Sequence, residues 1–180
     1  MSEIGRYLLS RNPVWGVPLA LPVVFFAGQS VERAILFGSL VVGVLIVTQT
    51  LSYFAESMLP RMLRIIPALI IAGGIVTIAE VLLYRMGVSP GHRMLLMMRG
   101  VSVSGIVMWP TLRARRGERF MDRMQVVFGL VLGFVGGFAL FTAIRVALSS
   151  FGIGIADSVA FGFFLLALGR IVIEGGSRRA

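Results

Sequence analysis

The sequence predicts an all-α integral membrane protein: six transmembrane helices forming two inverted three-helix repeats, with the first helix of each repeat broken. Three observations carry this expectation. Hydrophobic residues make up 57% of the 180 positions and the mean hydropathy is +0.94, too apolar for a fold that must keep a polar surface in water. The apolar residues fall into long stretches near the roughly 20 residues a helix needs to cross hydrocarbon. The arginines are concentrated in the short segments between those stretches. One membrane domain over 1–180 follows, with repeats at 13–84 and 94–173 and a basic loop at 110–123.

The first span, 13–27, is short and holds Pro18 and Pro22, which remove backbone donors and bend a helix. The second and third, 34–54 and 65–84, are uninterrupted. The fourth, 94–109, contains Arg99, Gly100 and Gly105 and ends at Pro110, so it is expected to be broken like the first. Such backbone survives at membrane depth only inside protein or beside a water-filled cavity. The fifth, 124–141, reaches 148 if Arg145 snorkels to the interface. The sixth is 153–173. Broken, long, long is thus followed by broken, long, long, and an odd number of spans per half makes the halves inverted, with interrupted segments marking a central site.

Arginine placement sets the orientation. All 17 basic residues are arginine. With a cytoplasmic N-terminus, eleven fall in inside segments (five of them Arg113, Arg115, Arg116, Arg119 and Arg123) and four, Arg33, Arg85, Arg93 and Arg145, in outside loops. The positive-inside rule therefore places both termini in the cytoplasm. The net charge of +9 is a topology signal rather than a nucleic-acid footprint, because only 14% of residues are charged. Pro13 and the polar residues before it interrupt any signal-peptide core, so no cleaved presequence is expected. With no cysteine and the single histidine His92, thiolate and His-rich metal sites are excluded, and Met94, Met97 and Met98 are read as lipid-facing or core filler rather than soft ligands.

Pro22 and Gly105 are the candidate broken-helix positions. They either shape two half helices meeting at the repeat axis or merely kink helices for packing. Glu80, Arg99 and Asp157 lie at similar depth and are able to meet, as an ion or proton path or, more simply, as a structural ion pair near the membrane ends. Gly129, Gly133 and Gly137 form a small-residue stripe for close helix packing. Arg170 and Glu174 stand four apart as a weak helix pair, although an arginine reaching to the cytoplasmic surface is the simpler reading. The loop arginines from Arg113 to Arg123, interspersed with Glu118 and Asp122, are read as topology anchors. No nucleophile with a paired base and no phosphate loop is visible, so no catalytic residue is assigned.

The opening MSEI, Asn12-Pro13, the run to Leu21-Pro22, Ser30 and the stretch RIIPALIIAGGIVTIAEVLL from Arg64 to Leu83 resemble the Rnf/Nqr membrane subunit family, nearest its RnfE/NqrD-like branch. The resemblance is best over 1–84, fades across 94–123 and is one of helix pattern in the last third. It implies a six-helix inverted repeat in the bacterial inner membrane, paired with an oppositely oriented RnfA/NqrE-like paralogue inside an ion-motive electron-transport complex. It also implies a cysteine in the first helix of each repeat, holding an iron–sulfur cluster. Here the family's Leu-Cys-Pro motif falls on Leu21, Pro22 and Val23, and the second cysteine falls near Gly105, so neither thiolate is present. This chain is therefore expected to bind no cofactor alone and to serve as a scaffold or ion-path subunit coupling redox chemistry to cation translocation. The alternative is a cluster-free structural or small transporter subunit that has lost the electron-transfer role.

Overall fold

The computed structural model describes residues 12–14, 30–56, 59–60, 63–87, 91–114, 117–152 and 158–177. Among them every regular element is an α-helix: α1 (Val31–Glu56), α2 (Ile65–Arg85), α3 (His92–Ser102), α4 (Gly105–Arg113), α5 (Phe120–Ser150) and α6 (Val159–Ser177). The all-α membrane class is thus observed. α1, α2, the interrupted stretch Met94–Arg113 and α5 are each long and apolar enough to cross a bilayer, and Ala160–Ile171 within α6 is a shorter apolar helix. The first predicted span, with Pro18 and Pro22, lies outside the described residues apart from Pro13 and Val14.

Helix ends follow local chemistry more than the apolar pattern. α1 begins three residues earlier than its hydropathy suggests because Ser30 caps it, its Oγ accepting the Arg33 N–H at 3.3 Å and its carbonyl the Ala34 N–H at 2.9 Å. Ser158 plays the same part for α6, accepting the Phe161 N–H at 3.1 Å through Oγ. Ser158→Ala should therefore lower thermal stability by about 1 kcal/mol, measured by melting in detergent micelles, with Ser158→Asp retaining most of it. α5 starts at Phe120, so the connection from α4 shrinks to residues 114–119, with Gly117 at φ +80° turning the chain where a Cβ would be strained.

The chain divides into two compact units, Met1–Gly38 with Phe128–Ala180, and Ser39–Val127. In the first, Phe134 and Phe138 stack at 5.2 Å between centroids, and Phe37, Phe134 and Phe141 are fully or almost fully buried. Gly129, Gly133 and Gly137 all lie on the buried side of α5. Their lack of side chains leaves the backbone approachable: the Gly133 carbonyl accepts from Asn12 Nδ2 at 2.9 Å, while Asn12 Oδ1 accepts the Val14 N–H at 2.9 Å. Arg145 does not snorkel. Its side chain is wholly buried, the guanidinium lying 5.6 Å from the Phe141 ring centroid and Nη2 donating to the Ser158 carbonyl at 3.3 Å. An aromatic face and a backbone acceptor take the place of interfacial water.

In the second unit α2 packs against both α3 and α4. Ala68, Ala72, Val76 and Glu80 form the buried line of α2 at a spacing of four, while Ile70, Ile78 and Leu82 on its other sides are more than half exposed. Such an apolar exterior is untenable in water and natural against lipid.

Candidate functional site

The fourth predicted span is broken, as expected: the break falls at Val103–Ser104, immediately before the candidate position Gly105. Ser104 is extended, with φ −65° and ψ 141°, and it joins the two half helices. Its N–H and Oγ both donate to the Val101 carbonyl, at 3.1 and 2.7 Å, while its own carbonyl accepts the N–H groups of Val107 and Met108. A serine able to satisfy backbone groups locally competes with helix continuation, and Gly105, first residue of α4, adds little helical preference. Pro110 sits buried within α4, where its missing N–H weakens the helix without ending it.

Gln49 of α1 clasps the second half helix. Fully buried, its Nε2 donates to the Val107 carbonyl at 2.7 Å and to Thr111 Oγ1 at 3.2 Å, and Thr111 Oγ1 lies 3.3 Å from Gln49 Oε1 as donor in return. A glutamine inside an apolar run was the available signal, and the hydropathy reading passed over it.

Of the predicted charged constellation, Glu80 and Arg99 meet. Arg99 Nε donates to Glu80 Oε1 at 3.1 Å and Nη2 to Oε2 at 3.2 Å, a two-pronged pair between α3 and α2. The carboxylate side chain is 11% exposed and the arginine 65%, so Glu80 is tucked against the helices while Arg99 reaches outward. Asp157 and Pro22 lie outside the described residues. His92 is exposed, as the first residue of α3; Met98 is core, whereas Met94 is half-buried. Glu174's side chain is outside the described set, and so is any pairing with Arg170.

A second charged site was missed. Arg123 is not a loop anchor: it lies in the first turn of α5 with its side chain 4% exposed, and its Nη2 donates to Glu56 Oε2 of α1 at 2.7 Å, that side chain also being 4% exposed. Its Nε stands 3.6 Å from Glu118 Oε2, and the guanidinium lies 5.5 Å from the Tyr53 ring centroid. Tyr53 Oη donates to the Glu118 carbonyl at 3.3 Å. These residues, with Arg64, line a cavity of about 210 Å³. The signal was the placement of Glu56 at the end of an apolar stretch, a position that the eye assigns to solvent.

The residues around Gly105 do not fit an iron–sulfur cluster. Its neighbours Val101, Ile106 and Val107 are buried apolar side chains, the Ser104 hydroxyl is engaged by Val101, and no group of three His, Cys, Asp or Glu side chains able to hold a metal occurs among the described residues.

No curated protein and no solved structure matches the chain. The sequence does match one family model, described as Rnf-Nqr subunit, membrane protein, over residues 1–175. With an apolar helical fold and an interrupted span where the resemblance required one, a match across nearly the whole chain makes this protein a member of the Rnf-Nqr membrane subunit family.

Proposed function

We propose that this chain is a membrane subunit of an Rnf/Nqr-like electron-transport complex that couples redox chemistry in other subunits to cation translocation. In this reading it is a six-span inverted repeat in a bacterial inner membrane, both termini cytoplasmic, packed against an RnfA/NqrE-like paralogue. It supplies scaffold and part of an ion route, without cluster ligands of its own. The family match over 1–175 carries the proposal; the break at Ser104 supports it because it interrupts the span at which the second repeat begins. Purification of the native protein in mild detergent should recover flavin-bearing and NADH-oxidising subunits together with a second six-span protein. Their absence, with no iron and no flavin spectrum in the preparation, would reject it in favour of a cluster-free structural or small transporter subunit, the reading that the missing cysteines favour.

Glu80 and Arg99 are proposed as part of an ion route on one side of the membrane, with their two-pronged pair as its ionised element; Asp157, expected at similar depth, lies outside the described residues. Glu80→Gln keeps the shape and one acceptor but removes the charge. Coupled cation uptake by the reconstituted complex is expected to fall several-fold while the protein remains inserted. Unchanged uptake would reduce the pair to a structural tie.

A further inference from the structure

The Glu56–Arg123 cavity has a chemistry that a structural ion pair does not require. Two carboxylates, from Glu56 and Glu118, flank one guanidinium; Glu56 Oε1 has no hydrogen-bond partner, and Glu118 Oε2 has only the 3.6 Å ion-pair approach of Arg123 Nε. The pattern continues along α1. Ser52 and Thr48, one and two turns from Glu56, are wholly buried, and their hydroxyls also lack partners. Their neighbour Thr50 shows the ordinary solution, donating to the Ile46 carbonyl one turn back at 2.8 Å. Ser52 and Thr48 do not take it. Glu56, Ser52 and Thr48 therefore set unpartnered oxygens along one face of α1 over about 12 Å, ending at the level where Gln49 grips α4.

Buried polar atoms without partners cost free energy and mark places completed by water or an ion. Apart from Arg123 Nε and Nη1, the unpartnered atoms of this site and of the α1 face beyond it are oxygens able to accept, the ligands that hard cations take. The charges lining the cavity balance, Glu56 and Glu118 against Arg64 and Arg123. Arg64 is turned toward backbone, its Nε donating to the Leu59 carbonyl at 3.4 Å, whereas Arg123 lies between the carboxylates. Without the Arg123 charge the lining is net negative and rich in oxygen.

We propose that Glu56 and Glu118 form a binding site for a small monovalent cation, that the Arg123 guanidinium is its built-in competitor, and that Ser52 and Thr48 extend the oxygen path along α1. Two carboxylates opposed by Arg64 match one positive charge rather than two, and a tethered guanidinium in the site keeps it closed until the side chain withdraws. The site is separate from the Glu80–Arg99 pair and stands on local geometry alone. A chain that failed to copurify with redox subunits would lose the electron-transport reading and keep this one.

The test is thermal unfolding of the full chain in detergent micelles, in sodium chloride against choline chloride at equal ionic strength. Arg123→Gln removes the competitor and should melt roughly 2–4 °C higher in sodium than in choline. The wild type should show a smaller difference, and Glu56→Gln combined with Arg123→Gln none. If Arg123→Gln does not yield folded protein, Arg123→Lys keeps the charge on an arm that cannot bridge both carboxylates and should show an intermediate sodium effect. Equal melting in the two salts for whichever single variant folds, or a sodium effect that survives the added Glu56→Gln, overturns the proposal.

Discussion

Glu56→Ala is expected to destabilise the protein by about 3 kcal/mol, the scale found when one partner of a buried ion pair is removed. Both side chains of the Glu56–Arg123 pair are 4% exposed, so solvent does little to screen the charge left behind. Glu118 Oε2 at 3.6 Å from Arg123 Nε and the Tyr53 ring at 5.5 Å soften the loss without replacing the 2.7 Å contact. The magnitude separates two accounts of the site. If the pair were a surface anchor of the kind the arginine-rich loop suggested, the change would cost less than about 1 kcal/mol. Glu56→Leu with Arg123→Met, which removes both charges while filling similar volume, should recover most of the stability. Melting in mild detergent of the two single variants and the double variant closes the cycle; additivity would mean that the two residues do not act as a pair.

The difference between that site and the rest of the protein shows what the sequence makes legible. Membrane helices declare themselves by length and apolarity, because hydrocarbon imposes the same demand on every span, and 34–54 and 65–84 differ from α1 and α2 by at most three residues at either end. The break in the fourth span was legible in kind, since glycine and proline disfavour continuous helix. Its position was legible at the neighbouring residue, Gly105, but its mechanism was not. It depends on Ser104 satisfying Val101 from one side and α4 from the other, which no count of helix breakers reports. Glu80 and Arg99 were placed together by depth alone, because both are charged residues inside spans and each turn of helix fixes their height.

Arg123 and Arg145 show the opposite limit. Both were assigned to water on the general preference of arginine, and both are buried. For each the deciding partner is distant in sequence or belongs to the backbone: Glu56 is 67 positions from Arg123, and Ser158 offers Arg145 a carbonyl. Burial of an arginine is a property of what surrounds it, and helix pairing determines the surroundings. Hydropathy measures the cost of burial without registering the partner that offsets it.

Gln49→Leu should cost about 2 kcal/mol and, more tellingly, act on α4 at a distance in the chain. The substitution is nearly isosteric and improves the apolar character of α1, so a reading based on membrane insertion alone predicts neutrality or gain. The structure predicts loss. Gln49 Nε2 reaches the Val107 carbonyl at 2.7 Å and Thr111 at 3.2 Å, and leucine leaves the Thr111 hydroxyl buried without that partner, 5% of the residue being exposed. Interhelical hydrogen bonds in membranes average well under 1 kcal/mol because the unfolded chain finds other partners, so the larger value requires that both contacts act together on a half helix weakened by Pro110. Thr111→Val should therefore rescue part of the loss in the Gln49→Leu background while being harmful by itself, since removing both polar groups leaves fewer unsatisfied atoms than removing one. Hydrogen exchange supplies the readout that locates the effect: amides of α4, residues 105–113, should open faster in Gln49→Leu while those of α2 stay protected. Uniform acceleration across both helices would mean that Gln49 supports the fold generally rather than holding the second half of the broken span.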